Sequence, residues 1–328
     1  MTCRLGRIAC AFGLLFATIP KMANAVQSDG SGPRSTPIAF SQSLAVVGAT
    51  LQIDFAEGPL DLPRSQFVEH IQTAAHAVTI YYGRFPVPRA RILVIPTPGR
   101  HGVLQGTTWG NMGGFPAFLR LRIGQSTTPE ELAADWVTTH ELVHTALASL
   151  PDDQHWLEEG LASYIEPIAR VQAGELSAEG IWADMMRGMP RGEPDPGDRG
   201  LDNTHTWGRT YWGGALFCLM ADIEIRRQTI NHKGLQDALR AIVAAGGTID
   251  KEWALPRILS IGDRATGTRV LEEMYERWSK TPVPVNLSEL WSQLGVEEGT
   301  STVKFDSKAP FAAIRTAITE QPKLNAIR

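Results

Sequence analysis

Two histidines and a glutamate lie close together in the sequence His140-Glu141-Leu142-Val143-His144. On an α-helix, residues four apart project from one face, so both imidazoles can bind the same metal ion. Glu141 then lies about 100° further round the helix than His140, where a carboxylate can act as general base on activated water without being a ligand. The spacing predicts a zinc site with ligands His140 and His144 and with Glu141 as the catalytic base.

The setting of this motif favours a metal site over buried histidines that are paired with other polar groups. Between Trp136 and Pro151, Glu141 is the one residue that carries a charge at pH 7, and its neighbours are mostly apolar. A helix of this composition is expected to be buried nearly all round. Burial of a carboxylate and two imidazoles without partners would cost on the order of several kcal/mol. A divalent cation bound by the two imidazoles, with the carboxylate beside it, removes this penalty.

A second carboxylate signal follows in residues 156–160, where Glu159 lies fifteen residues after His144. The sequence from Thr128 to Glu131 is typical of a helix start, with a Thr N-cap, a Pro at the first helical position and a capping-box Glu. We therefore predict one helix over 129–149 and a second over 155–172, kinked at a proline. These two antiparallel helices are expected to share one zinc ion, Zn²⁺, bound by His140, His144 and Glu159.

The first 25 residues are expected to be a bacterial Sec-type signal peptide, with Arg4 and Arg7 before an apolar run and Ala23-Asn24-Ala25 at its end. A retained N-terminal anchor is the alternative. Residues 26–38 are rich in Ser, Gly and Pro and are expected to form a flexible leader. No later stretch approaches about eighteen consecutive apolar residues. The protein is therefore predicted to be periplasmic or secreted, with no membrane span in the mature chain.

Charge and cysteine content limit the possible partners. Removal of residues 1–25 lowers the basic residues from 31 to 28 against 35 acidic residues, a net charge of −7. This balance argues against a nucleic-acid partner. Cys3 and Cys10 leave with the signal peptide, so Cys218 alone remains and no intramolecular disulfide is expected. The oligomeric state stays open.

The remaining chain is predicted to be an α+β protein with a small mixed-sheet lobe over 39–127 and a mainly helical lobe over 128–328. The first lobe shows short apolar runs between Leu44 and Phe55, an amphipathic helix up to Tyr82 and strand patterns at 92–95 and 117–123. The Pro-, Gly- and Asp-rich stretch 188–206 is expected to be a loop. In the second lobe, helices are predicted near 129–149, 155–172, 178–187, 208–228, 233–245, 251–259, 264–279 and 287–294, followed by a terminal strand at 303–305 and a closing helix.

These motifs resemble those of the gluzincin metallopeptidases of the peptidase MA-like group, especially the aminopeptidase N and glycyl aminopeptidase families. The His140–His144 motif matches their zinc and base motif, and residues 156–164 (WLEEGLASY) look like the family's WLNEGFASY segment. This likeness assigns the third ligand to Glu159 rather than to Glu158. The resemblance covers about residues 110–290 and implies a thermolysin-like zincin fold, with the zinc site between the two lobes.

The resemblance also implies an oxyanion donor. Tyr211-Trp212-Gly213-Gly214 resembles the family's YxKG segment, whose tyrosine donates a hydrogen bond in the transition state, although Gly213 replaces the lysine. Tyr211 is therefore the candidate donor. One departure concerns the GxMEN segment, whose Glu binds a substrate's free amine. Its nearest counterpart here, residues 110–114, has glycines in place of Glu and Asn, so the choice between aminopeptidase and endopeptidase stays open.

The function predicted from these residues is zinc-dependent hydrolysis of a peptide or protein substrate. Two alternatives use the same residues: a catalytically silent, metal-stabilised binding protein of the cell envelope, and a zinc hydrolase that acts on a non-peptide envelope component. The presence of Glu141 argues against the silent protein, because metal binding alone does not require a base. His155 and His205 are interpreted as surface residues, and Cys218 as a small core residue.

Overall fold

The computed structural model describes residues 36–300 and 302–321. The predicted signal peptide lies outside the described residues, as does the predicted leader except for its last three residues, of which Ile38 already begins a strand. The helices and strands are, in chain order, β1 (Ile38–Val46), β2 (Ala49–Ala56), α1 (Arg64–Tyr82), β3 (Arg89–Thr97), β4 (Val103–Met112), β5 (Phe115–Gly124), α2 (Pro129–Ala133), α3 (Val137–Val143), α4 (His155–Gln172), α5 (Ala178–Gly188), α6 (Gly214–Gln228), α7 (Leu235–Ala244), α8 (Leu255–Thr266), α9 (Val270–Trp278), α10 (Leu287–Leu294), β6 (Val296–Glu298), β7 (Val303–Phe305) and α11 (Ala312–Thr319).

The first five strands form one mixed sheet in the order β1-β2-β3-β5-β4. The three inner strands run parallel to each other, whereas β1 and β4 pair antiparallel at the two edges. The inner strands carry apolar residues that are buried on the face covered by α1, such as Ile53, Ile92 and Leu119. The polar edge strand β4 lies beside α3. The sheet therefore presents one open edge next to the predicted zinc-binding motif.

The helices after β5 pack on the same hydrophobic core as the sheet. This single core contains buried side chains from Leu51 near the start of the chain to Ile318 near its end. In its centre, α4 packs against α1, α3 and α6. The α4–α6 contact is close because Gly160 and Gly214 face each other, and a Cβ atom on either glycine would collide with the backbone of the other helix. The predicted strand at 303–305 is β7 and the predicted closing helix is α11, whereas β6, which pairs with β7 in a hairpin, was not predicted. The predicted α+β class is confirmed.

The prediction of one continuous helix over 129–149 is wrong. The chain forms α2, breaks at residues 134–136, resumes as α3 and ends in a single 3₁₀ turn over His144–Ala146. Asp135 causes the break, because its carboxylate accepts the backbone N–H groups of Val137 at 2.9 Å and Thr138 at 3.1 Å and so caps a new helix. Two later helices are also displaced from their predicted positions, since α8 and α9 begin several residues after 251 and 264.

Among residues 36–300 and 302–321, none of the helices has both the length and the apolar character needed to cross a membrane.

Candidate metal centre

The three predicted ligands come together where α3 faces the first turns of α4. One carboxylate oxygen of Glu159, Oε2, lies 3.0 Å from His140 Nε2 and 3.7 Å from His144 Nε2. The three ligand atoms all lie within 4.8 Å of one another. Donors about 2.0–2.2 Å from a tetrahedral zinc ion are separated from each other by roughly 3.3 Å. The donor types, their burial and their spacing therefore fit one zinc ion.

The second oxygen of Glu159, Oε1, contacts His155. His155 Nε2 lies 3.2 Å from Glu159 Oε1, and His155 Nδ1 lies 2.9 Å from Glu158. Glu158 in turn accepts the backbone N–H of Leu150 at 3.0 Å. Burial by itself would raise the pKa of Glu159, but hydrogen bonds from His140 and His155 outweigh this effect and lower it. Glu159 is therefore held as a carboxylate.

The interpretation of His155 as an ordinary surface residue is thus incomplete. Its side chain is half exposed, yet its ring bridges two carboxylates, and these hydrogen bonds raise the pKa of His155 to about 10. The signal for this contact was present in the sequence, because residues at i and i+4 of a helix are neighbours. His155 lies four residues before Glu159.

Glu141 is buried on the other side of the site, against strand β4. The Thr108 hydroxyl donates a hydrogen bond of 2.6 Å to the Glu141 carboxylate. Gly106, two residues earlier, provides the space for this side chain, because a Cβ atom at position 106 would collide with the Glu141 carboxylate group. Burial raises the pKa of Glu141, and the Thr108 hydrogen bond opposes that shift. Neither Gly106 nor Thr108 was identified from the sequence.

The Gly-rich segment 110–114 lies at the far end of β4 and not opposite Glu141. Gly110 packs against the Ile249 carbonyl, and the Asn111 side chain donates a 2.7 Å hydrogen bond to the Asp250 carbonyl. Residues 113 and 114 form the β4–β5 turn, with positive φ angles. The part of β4 beside Glu141 is therefore residues 106–108, and the strand from Val103 to Met112 contains no acidic residue.

Tyr211 lies beside the predicted ligand His140, in a π-helical turn (Arg209–Gly213) that leads into α6. Its ring stacks near His140, with centroids 6.3 Å apart and planes inclined by 23°. Burial raises the pKa of Tyr211, and the nearby Glu159 and Glu141 carboxylates raise it further. The hydroxyl therefore keeps its proton at neutral pH and is available as a hydrogen-bond donor.

The remaining candidate residues contribute no further ligands to this centre. In the loop 188–206, Asp198 pairs with the Arg209 guanidinium at 2.7 Å, and Asp202 accepts hydrogen bonds from the side chains of Trp156 and Tyr275. His205 is exposed. Cys218 is buried in the core, and burial raises the pKa of its thiol, so it is not an activated nucleophile.

Comparison with known proteins finds similar structures but no similar sequences. No protein-family model matches the chain, and no curated protein sequence matches it. An aminopeptidase N family protein from Idiomarina loihiensis has 13% identity and a TM-score of 0.57, over 83% of this chain and 53% of that one. An M1 zinc metallopeptidase from Deinococcus radiodurans, in a single-residue variant, has 15% identity and a TM-score of 0.50, over 76% and 54%. The same enzyme variant bound to a Tyr-Ser-Ala substrate has 14% identity and a TM-score of 0.50, over 76% and 54%.

The chain thus spans about half the length of these solved structures. At such low identity the likeness shows a shared fold. The resemblance to aminopeptidase N that the sequence motifs indicate is confirmed at this level, without any matching sequence relative to support it.

Proposed function

We propose that the protein is a zinc metallopeptidase of the thermolysin-like zincin type, with the metal between the sheet and the helices. His140, His144 and Glu159 would hold the ion, Glu141 would be the general base and Tyr211 the oxyanion donor. The observation that carries this proposal is that the three proposed ligand atoms lie within 4.8 Å of one another. Tyr211 stacks near His140, and Glu141, the residue after His140, is buried.

Bound zinc supplies Lewis acidity, which polarises a carbonyl group and makes water more acidic. Glu141 accepts the proton that water loses on attack and delivers it to the leaving amine. Its burial favours this exchange, because a carboxylate with a raised pKa gains and loses a proton more readily near neutral pH. The Tyr211 hydroxyl donates a hydrogen bond to the oxygen on which negative charge develops.

Strand β4 is the surface on which an extended peptide would lie. It pairs with β5 on one side, and its side chains are mostly half-buried. An exposed sheet edge can accept a further strand through main-chain hydrogen bonds. Because β4 has no acidic residue to anchor a free amine, a peptide could extend past the site in both directions.

The test is mass-spectrometric mapping of cleavage in a diverse peptide library by the zinc-loaded protein from Val26 onward, with Glu141→Gln as control. Val26 is the first residue after the predicted signal peptide, and the proposed location is the periplasm or the cell exterior. Glu141-dependent cleavage supports the proposal, and the positions of the cuts distinguish an endopeptidase from an aminopeptidase. Absence of any Glu141-dependent cleavage would contradict it and favour a silent binding protein or a non-peptide substrate.

A further inference from the structure

Two exposed tryptophans stand at the ends of a row of rings that includes a proposed ligand and the proposed oxyanion donor. Trp136 contacts His140 edge-on, with centroids 5.4 Å apart, and Trp207 stacks on Tyr211 at 5.6 Å. His140 and Tyr211 join the two pairs. Trp136 is 53% exposed and Trp207 is 55% exposed. In residues 36–300 and 302–321 only six large hydrophobic side chains are exposed, so finding two of them in contact with this site is unusual.

The backbone holds each tryptophan in place. Trp136 lies in the break between α2 and α3, where the Asp135 carboxylate accepts the next two backbone N–H groups. On the other side, Gly208 packs against the Arg191 carbonyl so closely that a Cβ atom would collide with it, and the buried Arg209 pairs with Asp198. The two indoles are thus carried on anchored segments rather than on free loops.

Exposure of an indole is unfavourable unless a ligand covers it, since tryptophan buries up to about 250 Å² of surface when it is covered. Neither ring is needed to fill the core, and each touches a ring that the proposed mechanism uses. Tryptophan is also the residue type that contributes most often to binding energy at recognition surfaces. These facts indicate a binding surface rather than two incidental exposed residues.

The chemistry of the surface favours apolar ligands. Asp135, the acidic residue nearest to Trp136 in sequence, is committed to two backbone amides and to His70, which lies 2.9 Å away. The residues that flank Trp207 between Asn203 and Thr210 include no acid. Glu141 and Glu159, the carboxylates near Tyr211, are the base and a ligand in the proposed function. A cationic side chain on these rings would therefore have no free carboxylate to pair with, whereas an aromatic or large aliphatic side chain needs only the ring faces.

We propose that Trp136 and Trp207 form two apolar subsites, one at each end of the ring row, which select peptides with aromatic or large aliphatic residues beside the scissile bond. This inference rests on the proposed peptidase function. It names Trp136 and Trp207 as residues that determine specificity and leaves the chemical step to Glu141 and Tyr211.

The test measures binding separately from turnover. Zinc-loaded Glu141→Gln protein is titrated with fluorescein-labelled Gly/Ser peptides that carry a central Phe-Phe, Ser-Ser or Lys-Lys pair, and anisotropy gives each Kd. The same titrations are made with Trp136→Ala, Trp207→Ala and the matching Phe substitutions added to Glu141→Gln. Ile230→Ala is the control, because Ile230 is an exposed apolar residue in the turn after α6 and has no part in the proposed site.

The Phe-Phe peptide is expected to bind most tightly, and each Trp→Ala change should weaken it about tenfold or more. The Ser-Ser peptide should be affected little, and Trp→Phe should keep most of the affinity. In the active protein the same changes should raise KM for the Phe-Phe peptide with kcat nearly constant. An equal loss for all peptides, no loss, or a preference for Lys-Lys would overturn the proposal.

This design separates the two proposals. If Phe-Phe binding depends on the tryptophans but no peptide is cleaved, the apolar surface stands and the peptidase function fails. If peptides are cleaved with no dependence on Trp136 or Trp207, the peptidase function stands and the specificity proposal fails.

Discussion

The two segments that build the metal centre each contribute one buried carboxylate, and the surroundings of these carboxylates are opposite. Glu141, on α3, faces the edge strand β4, where its carboxylate accepts one hydrogen bond from Thr108 and lies over a glycine. Glu159, on the first turns of α4, lies among three imidazoles, with His140 and His144 near one oxygen and His155 near the other. Burial raises the pKa of Glu141, whereas hydrogen bonds from histidines lower the pKa of Glu159.

The surroundings of each carboxylate suit the same side chain to a different role. A carboxylate that is surrounded by donors is stabilised in its charged form and is suited to hold a cation. A carboxylate that is buried with a single partner is less strongly stabilised in that form and can exchange a proton. In the proposed mechanism, the carboxylate on α3 that faces the sheet edge would therefore be the base, and the carboxylate on the first turns of α4 would be the ligand.

Tyr211→Phe is expected to have the largest effect among the supporting residues. Tyr211 is not one of the three proposed ligands, so its loss should remove an oxyanion donor and lower kcat by about a hundredfold or more. The measurement is steady-state hydrolysis together with zinc content by atomic emission. Loss of zinc from this variant would contradict the assignment, because it would make Tyr211 part of the metal-holding group.

Gly106→Ala tests whether strand β4 holds Glu141 in position. The added Cβ would collide with Glu141, and a base displaced by about 1 Å can lose as much as a hundredfold in rate. Zinc content should not change, since the atoms nearest to the added Cβ belong to Glu141, which is not a proposed ligand. Gly110→Ala is the matched control, because it is equally crowded but packs against the Ile249 carbonyl. If both variants lose the same activity at equal thermal stability, Gly106 has no special role.

The sequence predicted the parts of this centre that local periodicity encodes. His140 and His144, four residues apart, lie close together as predicted. The predicted bounds of α4, from His155 to Gln172, also agree with the structure. The break at Asp135 was not predicted. The Asp135 side chain ends one helix by capping the next, and the mostly apolar residues around it do not indicate this cap. Propensity could not distinguish a continuous helix from two short ones here.

The contacts that distinguish the two carboxylates were not predictable in the same way. Thr108 reaches Glu141 across 33 residues of sequence, and this pairing depends on the strand order in which β4 follows β5 at the edge. The half-polar sequence of β4 also gives no clear strand alternation. By contrast, the contact from His155 to Glu159 is local to one helix and was available from the i to i+4 spacing.

His155→Ala tests whether His155 orients Glu159 as a metal ligand. Residues that orient a metal ligand typically change metal affinity by about ten- to a hundredfold, so zinc should be lost to a competing chelator at correspondingly lower chelator concentration. The absorption spectrum of the cobalt-substituted protein should shift as well, because the ligand geometry changes. His232→Ala, at an exposed histidine after α6, is the control. Unchanged zinc affinity and spectrum would show that His155 is only a surface residue.

Thr108→Val is expected to have the smallest effect. It removes the one hydroxyl that donates to Glu141 while keeping the side-chain size, and a lost hydrogen bond to a charged group is worth about tenfold in rate. Thr107→Val is the control, because the Thr107 hydroxyl bonds to the Gly106 carbonyl and not to Glu141. A rate loss in Thr107→Val as large as in Thr108→Val would mean that the effect comes from the strand and not from the base.

The most direct test of the division between base and ligand is a parallel measurement of zinc content and peptide hydrolysis in Glu141→Gln and Glu159→Gln. We expect Glu141→Gln to bind one zinc ion per chain and to lose about a thousandfold or more in rate. Glu159→Gln should lose zinc on dialysis and recover part of its activity when zinc is added in excess. Loss of zinc from Glu141→Gln, or full zinc retention in Glu159→Gln, would contradict the separate roles of the two carboxylates.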